Sequence, residues 1–195
     1  MTAARSTKPT VGAVLLTPGA GSSASHASLV ALEAALAPLP VARVDFPYRR
    51  AGRKAPDRAP TLVACVRDEA AALAAAAGVE PSRIVLGGRS MGGRMCSLAV
   101  AEGLPAAGLV LISYPLHPPG KPDQLRTAHF PQLDVPCLFV SGTRDAFGSP
   151  DEFGAHLGAI PGRVTQVWVP NAGHDLKGQD AGIVVAVQEW LRGLT

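Results

Sequence analysis

The chain repeats one pattern from end to end: a short, continuously apolar run, a Gly- or Pro-rich break, and a helical stretch. The apolar runs fall at 11–17, 41–46, 83–86, 108–112, 136–140 and 164–169. Short runs without polar alternation suit strands that are covered on both faces. Helical stretches are read at 25–36, 61–77, 91–101, 150–159 and 181–194. The first places Leu29, Leu32 and Leu36 on one side, and the last places Ile183, Val184, Val187, Trp190 and Leu191 on one apolar face. Strands that alternate with helices pair in parallel, and right-handed crossovers carry the helices to both faces. The predicted fold class is therefore α/β, a doubly wound, mainly parallel sheet of about six strands. No repeat or composition break marks a second domain. A single domain is expected over 1–195, with the short polar stretch 1–10 as a flexible N-terminus.

Composition narrows the class. With 195 residues, 47% hydrophobic and 17% charged, the chain can bury one sizeable core. A formal charge of +3 is too mild to argue for nucleic acid. No apolar run approaches the roughly 18 residues that span a bilayer, so no membrane partner is expected. The run 11–16 is short and no small-residue cleavage site follows it, so it reads as a strand and the protein as cytoplasmic. Cys65, Cys96 and Cys137 are widely spaced in apolar surroundings and read as small buried hydrophobes. No metal-ligand spacing and no cofactor motif is recognisable.

The richest stretch is 84–95. The apolar run Ile84-Val85-Leu86 leads into Gly88-Arg89-Ser90-Met91-Gly92, and a helical stretch begins at Met91. This fits G-x-S-x-G, a tight strand-to-helix turn that holds its serine in strained backbone and points the hydroxyl outward. The flanking glycines are needed where a Cβ would strike the neighbouring strand or helix. The serine also lies at a helix N-terminus, which favours a negative oxygen.

In an open parallel sheet, reactive groups gather at the carboxyl ends of the strands. Ser90 follows the third apolar run, Asp145 stands in the turn after the fifth, and His174 in the turn after the sixth. A serine hydroxyl needs a base to become a nucleophile, and an imidazole needs a carboxylate to fix its tautomer. Ser90, His174 and Asp145 are the candidate nucleophile, base and orienting acid. Asp175, beside His174 in sequence, is a less favoured acid. His26, His117, His129 and His156 do not stand at a strand end in the required order. An oxyanion would be held by the backbone N–H of Met91 and, from the loop Pro18-Gly19-Ala20-Gly21, by that of Ala20. Gly19 lets that backbone approach closely.

Two loops should frame a pocket. The stretch 47–60 carries Arg49, Arg50, Arg53, Lys54 and Arg58 against Asp57. It is either a solvated basic loop or a place where Arg49 or Arg53 meets a substrate carboxylate or phosphate. Lys121 and Arg126 could add to this. The connection 113–135 is rich in proline and reads as a stiff wall that offers Tyr114, Leu116, His117 and Phe130. Arg89 either sits at the mouth or pairs with a nearby acid. The expected partner is a small molecule, with an anionic group if the arginines serve it.

Five segments together are far more specific than the elbow alone: 17–21 (Thr-Pro-Gly-Ala-Gly), 45–49 with 52–57, 87–94, 114–120 and 142–145. Through them the chain resembles the small α/β-hydrolases of the predicted-hydrolase or dienelactone-hydrolase-like group. The resemblance implies a minimal hydrolase fold without a large lid, and the triad. It names no substrate. Dienelactone hydrolases use a cysteine nucleophile where this chain has Ser90, and many hydrolases have His-Gly where it has Pro18-Gly19. The expected activity is cleavage of a small ester, thioester or lactone through an acyl-enzyme. A non-catalytic scaffold, and acyl transfer or perhydrolysis with the same triad, are the competing expectations.

Overall fold

In the computed structural model, which describes residues 11–194, six strands form one sheet in the order β2-β1-β3-β4-β5-β6. The strands are β1 (Ala13–Thr17), β2 (Val41–Arg43), β3 (Ile84–Arg89), β4 (Gly108–Ile112), β5 (Cys137–Gly142) and β6 (Val164–Val169). The helices are α1 (Ala27–Leu36), α2 (Pro47–Arg50), α3 (Ala59–Ala77), α4 (Met91–Ala101), α5 (Pro150–His156) and α6 (Asp180–Arg192). Every neighbouring pair of strands is parallel. The stretch 1–10, expected to be flexible, lies outside the described residues.

The continuous apolar runs are explained by cover on both faces. Successive strand side chains point to opposite sides. Ala13, Leu15, Ile84, Leu86, Leu109, Leu111 and Phe139 join a core with Leu62 and Val66 of α3 and Met95 and Cys96 of α4. Val14, Leu16, Val85, Val110, Ile112, Leu138 and Val140 join a second core with Leu29 and Leu32 of α1 and Ile183, Val187 and Trp190 of α6. The chain leaves β1 for β2 on one side and returns through α3 to β3 on the other. This reversal opens a crevice at the carboxyl ends of β1 and β3.

Several boundaries differ from the sequence expectation, each for a local reason. The second strand stops at Arg43 and not at 46. It is an edge strand paired only with β1, and its continuation is drawn away where the Asp45 carboxylate accepts the Ala24 N–H at 2.8 Å. The stretch 47–60 is not wholly a loop: Pro47 opens the helical turn α2, and α3 begins at Ala59 because Pro60 is tolerated in a first turn. The third strand runs past its last apolar side chain to Arg89, because Gly87 and Gly88 keep pairing with β4 through their backbones. His26 caps α1 by accepting the Ser28 N–H, so that helix starts at Ala27. Similarly, α5 ends at His156 and passes into a single 3-10 turn, Leu157–Ala159.

The connection 113–135 is anchored in the core. Tyr114, Leu116, Phe130 and Leu133 are fully buried. Tyr114 packs on Phe130 and Phe139 at ring-centroid distances of 5.5 and 5.7 Å. No described helix is long and apolar enough to cross a membrane.

Candidate active site

The elbow takes the form its glycines allow. Ser90 has φ 48° and ψ −116°, a region that costs an ordinary residue about 1–3 kcal/mol. Its N–H donates to Ile112 O at 2.8 Å, which ties the turn to the end of β4. A Cβ on Gly88 would lie 2.2 Å from Thr17 O, and one on Gly92 would lie 2.5 Å from Thr17 Oγ1. The elbow is thus packed backbone to backbone on β1. Cys96 is sealed beneath it against Thr17 Oγ1 and Gly87 O, and burial pushes its thiol up to about 12.

The turns after β5 and β6 bring the other two residues to Ser90. His174 Nε2 lies 2.8 Å from Ser90 Oγ, and His174 Nδ1 lies 2.8 and 3.0 Å from the two oxygens of Asp145. A carboxylate can only accept here, so Nδ1 carries the proton and Nε2 is left free to accept the serine hydroxyl. Asp145 is buried, and its Oδ1 also accepts the Phe147 N–H at 2.8 Å. The Phe147 ring stacks on the His174 ring with centroids 3.9 Å apart. The two turns are locked together, since Arg144 N donates to Ala172 O and Asn171 N donates to Thr143 Oγ1. The Asp175 carboxylate instead faces its own turn, accepting the Lys177 N–H.

Opposite the serine lies the loop after β1. A Cβ on Gly19 would stand 3.7 Å from the Ser90 Cβ, so this backbone runs against the Ser90 side chain. The Met91 N–H opens α4 and has no carbonyl one turn back to receive it. The Ala20 N–H donates to no protein group among the described residues. Sequence reasoning missed Tyr48: its hydroxyl donates to Ala20 O at 2.7 Å and pins the loop from below. The missing signal was α2, which the basic composition of 47–60 concealed.

These groups line a cavity of about 560 Å³ that contains Gly19, Ala20, Ser90, Met91 and His174. Of the residues expected to contact a substrate, Gly19, Arg89 and Arg126 line it, and Arg49, Arg53, Tyr114, His117 and Lys121 do not. Tyr114 is buried in the wall, donating its hydroxyl to Arg126 O at 2.7 Å. His117 is buried between Pro118 O and Glu152. Arg53 pairs with Asp57 at 2.7 Å, and Arg49 sits on α2 outside the lining. Both are held off because α2 turns the basic stretch away from the crevice.

Arg89 lines the cavity, as one of its two readings had it, and its guanidinium is tied to backbone carbonyls and not to an acid. Its Nη2 donates to Asp175 O at 2.7 Å and approaches His174 O at 3.5 Å, while Nη1 approaches Ser28 Oγ at 3.4 Å. Burial holds its pKa below the ordinary arginine value, opposed by the charges of Asp180 and Asp175. Arg94, Arg126, Phe147 and His26 also line the cavity. The helix spacing from Ser90 to Arg94 was the available signal for the first. Among the described residues no group of three or more His, Cys, Asp or Glu side chains could hold a metal.

Comparison with known proteins places this geometry. The fold is shared with Est1E from Butyrivibrio proteoclasticus, at TM-score 0.77 and 15% identity over 95% of this chain and 89% of that one. It is shared with a dienelactone hydrolase from Anabaena variabilis, at TM-score 0.73 and 19% identity over 94% and 87% of the two chains. A third structure, an alpha-beta serine hydrolase homologue from Coxiella burnetii, aligns at TM-score 0.69 and 19% identity over 94% and 86%. At such identities the likeness is one of fold. The sequence profile of the alpha/beta hydrolase domain matches residues 10–188, nearly the whole chain. The chain belongs to the alpha/beta hydrolase family.

Proposed function

We propose that the chain is a carboxylesterase-like serine hydrolase that cleaves a small ester, thioester or lactone through an acyl-enzyme. One observation carries this reading: the unbroken relay from Asp145 through His174 to Ser90, with 2.8 Å at each junction. Ser90 Oγ attacks the substrate carbonyl carbon while its proton passes to His174 Nε2. The carbonyl electron pair moves onto oxygen, and the N–H groups of Met91 and Ala20 receive that oxyanion. Asp145 keeps Nδ1 protonated and stabilises the imidazolium. Collapse breaks the bond to the alcohol or thiol, which leaves with the Nε2 proton. A water then attacks the acyl-enzyme, giving its proton to Nε2, and the acid departs as Ser90 regains its hydrogen. A dienelactone hydrolase among the proteins of the same fold supports the ester and lactone class. The three free, buried cysteines suit a reducing compartment, and a cytoplasmic location goes with this reading.

Fluorophosphonate labelling of the wild type and Ser90→Ala, followed by a panel of p-nitrophenyl esters, tests the proposal. The wild type is expected to label and the variant not, with kcat falling by roughly 10⁴- to 10⁶-fold. Equal labelling of both proteins would overturn Ser90 as the nucleophile.

A further inference from the structure

The cavity beside Ser90 holds two arginines to which the reaction above gives no task. Arg94 lies one helical turn beyond Ser90 on α4, its N–H donating to Ser90 O, and Arg126 comes from the connection 113–135. Both line the same cavity as Ser90 and His174. Neither guanidinium has a carboxylate within ion-pair distance among the described residues, and Arg94 Nε is buried with no hydrogen-bond partner.

Four other arginines are neutralised by carboxylates. Arg43, Arg50, Arg53 and Arg67 pair with Glu33, Glu69, Asp57 and Glu102. Arg89 also faces the cavity, but its guanidinium is occupied by Ser28 and the carbonyls of His174 and Asp175. Arg94 and Arg126 are close enough to feel one another, since burial first and the Arg94 charge second hold Arg126 below its ordinary pKa. Two half-buried like charges without a counter-charge are unfavourable unless an anion joins them. A guanidinium offers its donors as a planar fork that matches carboxylate or phosphate oxygens.

We infer that Arg94 and Arg126 form an oxyanion-group subsite, so that the substrate is an ester, thioester or lactone bearing a carboxylate or a phosphate. The inference rests on the serine-hydrolase reading for the word substrate, and on the two arginines alone for the word anion. It moves anion recognition from Arg49 and Arg53, where the sequence chiefly suggested it, to Arg126, which the sequence offered as an addition, and to Arg94 in the wall of the cavity that holds Ser90. The pair determines specificity: it touches the charged end of the substrate and takes no part in bond making.

The test compares mono-p-nitrophenyl glutarate with neutral p-nitrophenyl butyrate, and measures binding of glutarate and of inorganic phosphate by calorimetry. The wild type is expected to favour the charged ester in kcat/KM. In Arg94→Gln and Arg126→Gln that preference falls about 10- to 100-fold, chiefly through KM. Arg126→Lys, which keeps the charge and loses the fork, is expected to fall between. Arg163→Gln removes an exposed charge outside the cavity and leaves the preference at its wild-type value. Calorimetry is read on wild type, Ser90→Ala and the Arg94→Gln/Arg126→Gln double variant, each checked for a native melting transition. Binding to the first two and not to the double variant supports the subsite. The tighter of the two anions tells a carboxylate substrate from a phosphorylated one. Failure of both anions to bind the wild type, or unchanged binding to the double variant, overturns it. Anion binding without labelling of Ser90 removes the serine reading and leaves the subsite. Labelling without anion binding removes the subsite alone.

Discussion

At the scale of single residues, Arg89 has the least obvious task. It stands immediately before Ser90, yet its guanidinium reaches to the backbone of the turn that carries His174. Under the proposed reaction it is expected to act through His174, as a positioning residue that keeps the imidazole in line with the serine hydroxyl. Arg89→Gln is expected to lower kcat by roughly 10- to 100-fold, the usual result of a small misplacement in a reacting pair. KM is expected to move much less, and Arg89→Lys to recover part of the loss. Steady-state kinetics on a neutral ester separate the possibilities: a rise in KM with kcat preserved would mean that Arg89 contacts substrate and does not position the base.

At the scale of elements, the elbow depends on how closely β3 and the start of α4 approach β1. The Cβ that Gly88→Ala adds meets the carbonyl oxygen of Thr17, which belongs to a central strand and has no room to withdraw. The variant is expected to lose about 1–3 kcal/mol or more of stability. A matched Gly21→Ala, where nothing lies within 4 Å of the added carbon, is expected to stay near wild type. Urea denaturation of both measures the difference, and equal midpoints would mean that the elbow relaxes without strain. The same elements show what could be read from the sequence and what could not. Strand starts were legible because each lies in a short apolar run, fully buried in the central strands and partly buried in the edge strands β2 and β6. The end of β3 was not, because Gly87 and Gly88 have no side chain to signal burial and extend the strand by backbone pairing alone. The positions of Ser90, Asp145 and His174 were legible because each stands at a strand end, where topology alone brings them together. Arg126 was named from the sequence only as one of several basic candidates; Tyr48 under Ala20, and the meeting of Arg94 and Arg126 in one cavity, depend on the paths of 47–60 and 113–135, and irregular backbone carries no periodicity to read.

At the scale of the whole molecule, the wall and the helical layer are joined by His129. Its Nε2 lies 2.8 Å from Ser97 Oγ on α4, and its ring packs edge-on against Phe130. Burial, with the Arg94 charge second, pushes its pKa down to about 4 from an ordinary 6.5. Between those two values the unfolded chain binds a proton that the folded chain refuses. Stability is therefore fully present above pH 6.5 and is lost as pH falls toward 4. His129→Gln keeps a polar group for Ser97 and removes the titration. Melting temperatures across that window are expected to fall less steeply for the variant than for the wild type, and parallel slopes would rule out His129 as a source of the acid sensitivity. The wall that His129 helps to hold has a further bearing on timing. With Tyr114 and Phe130 seated beside Phe139, residues 113–135 form masonry and not a door. Under the proposed reaction no part of this wall has to close, so kcat on a neutral ester is expected to stay insensitive to added viscogen while kcat/KM falls with the rate of encounter.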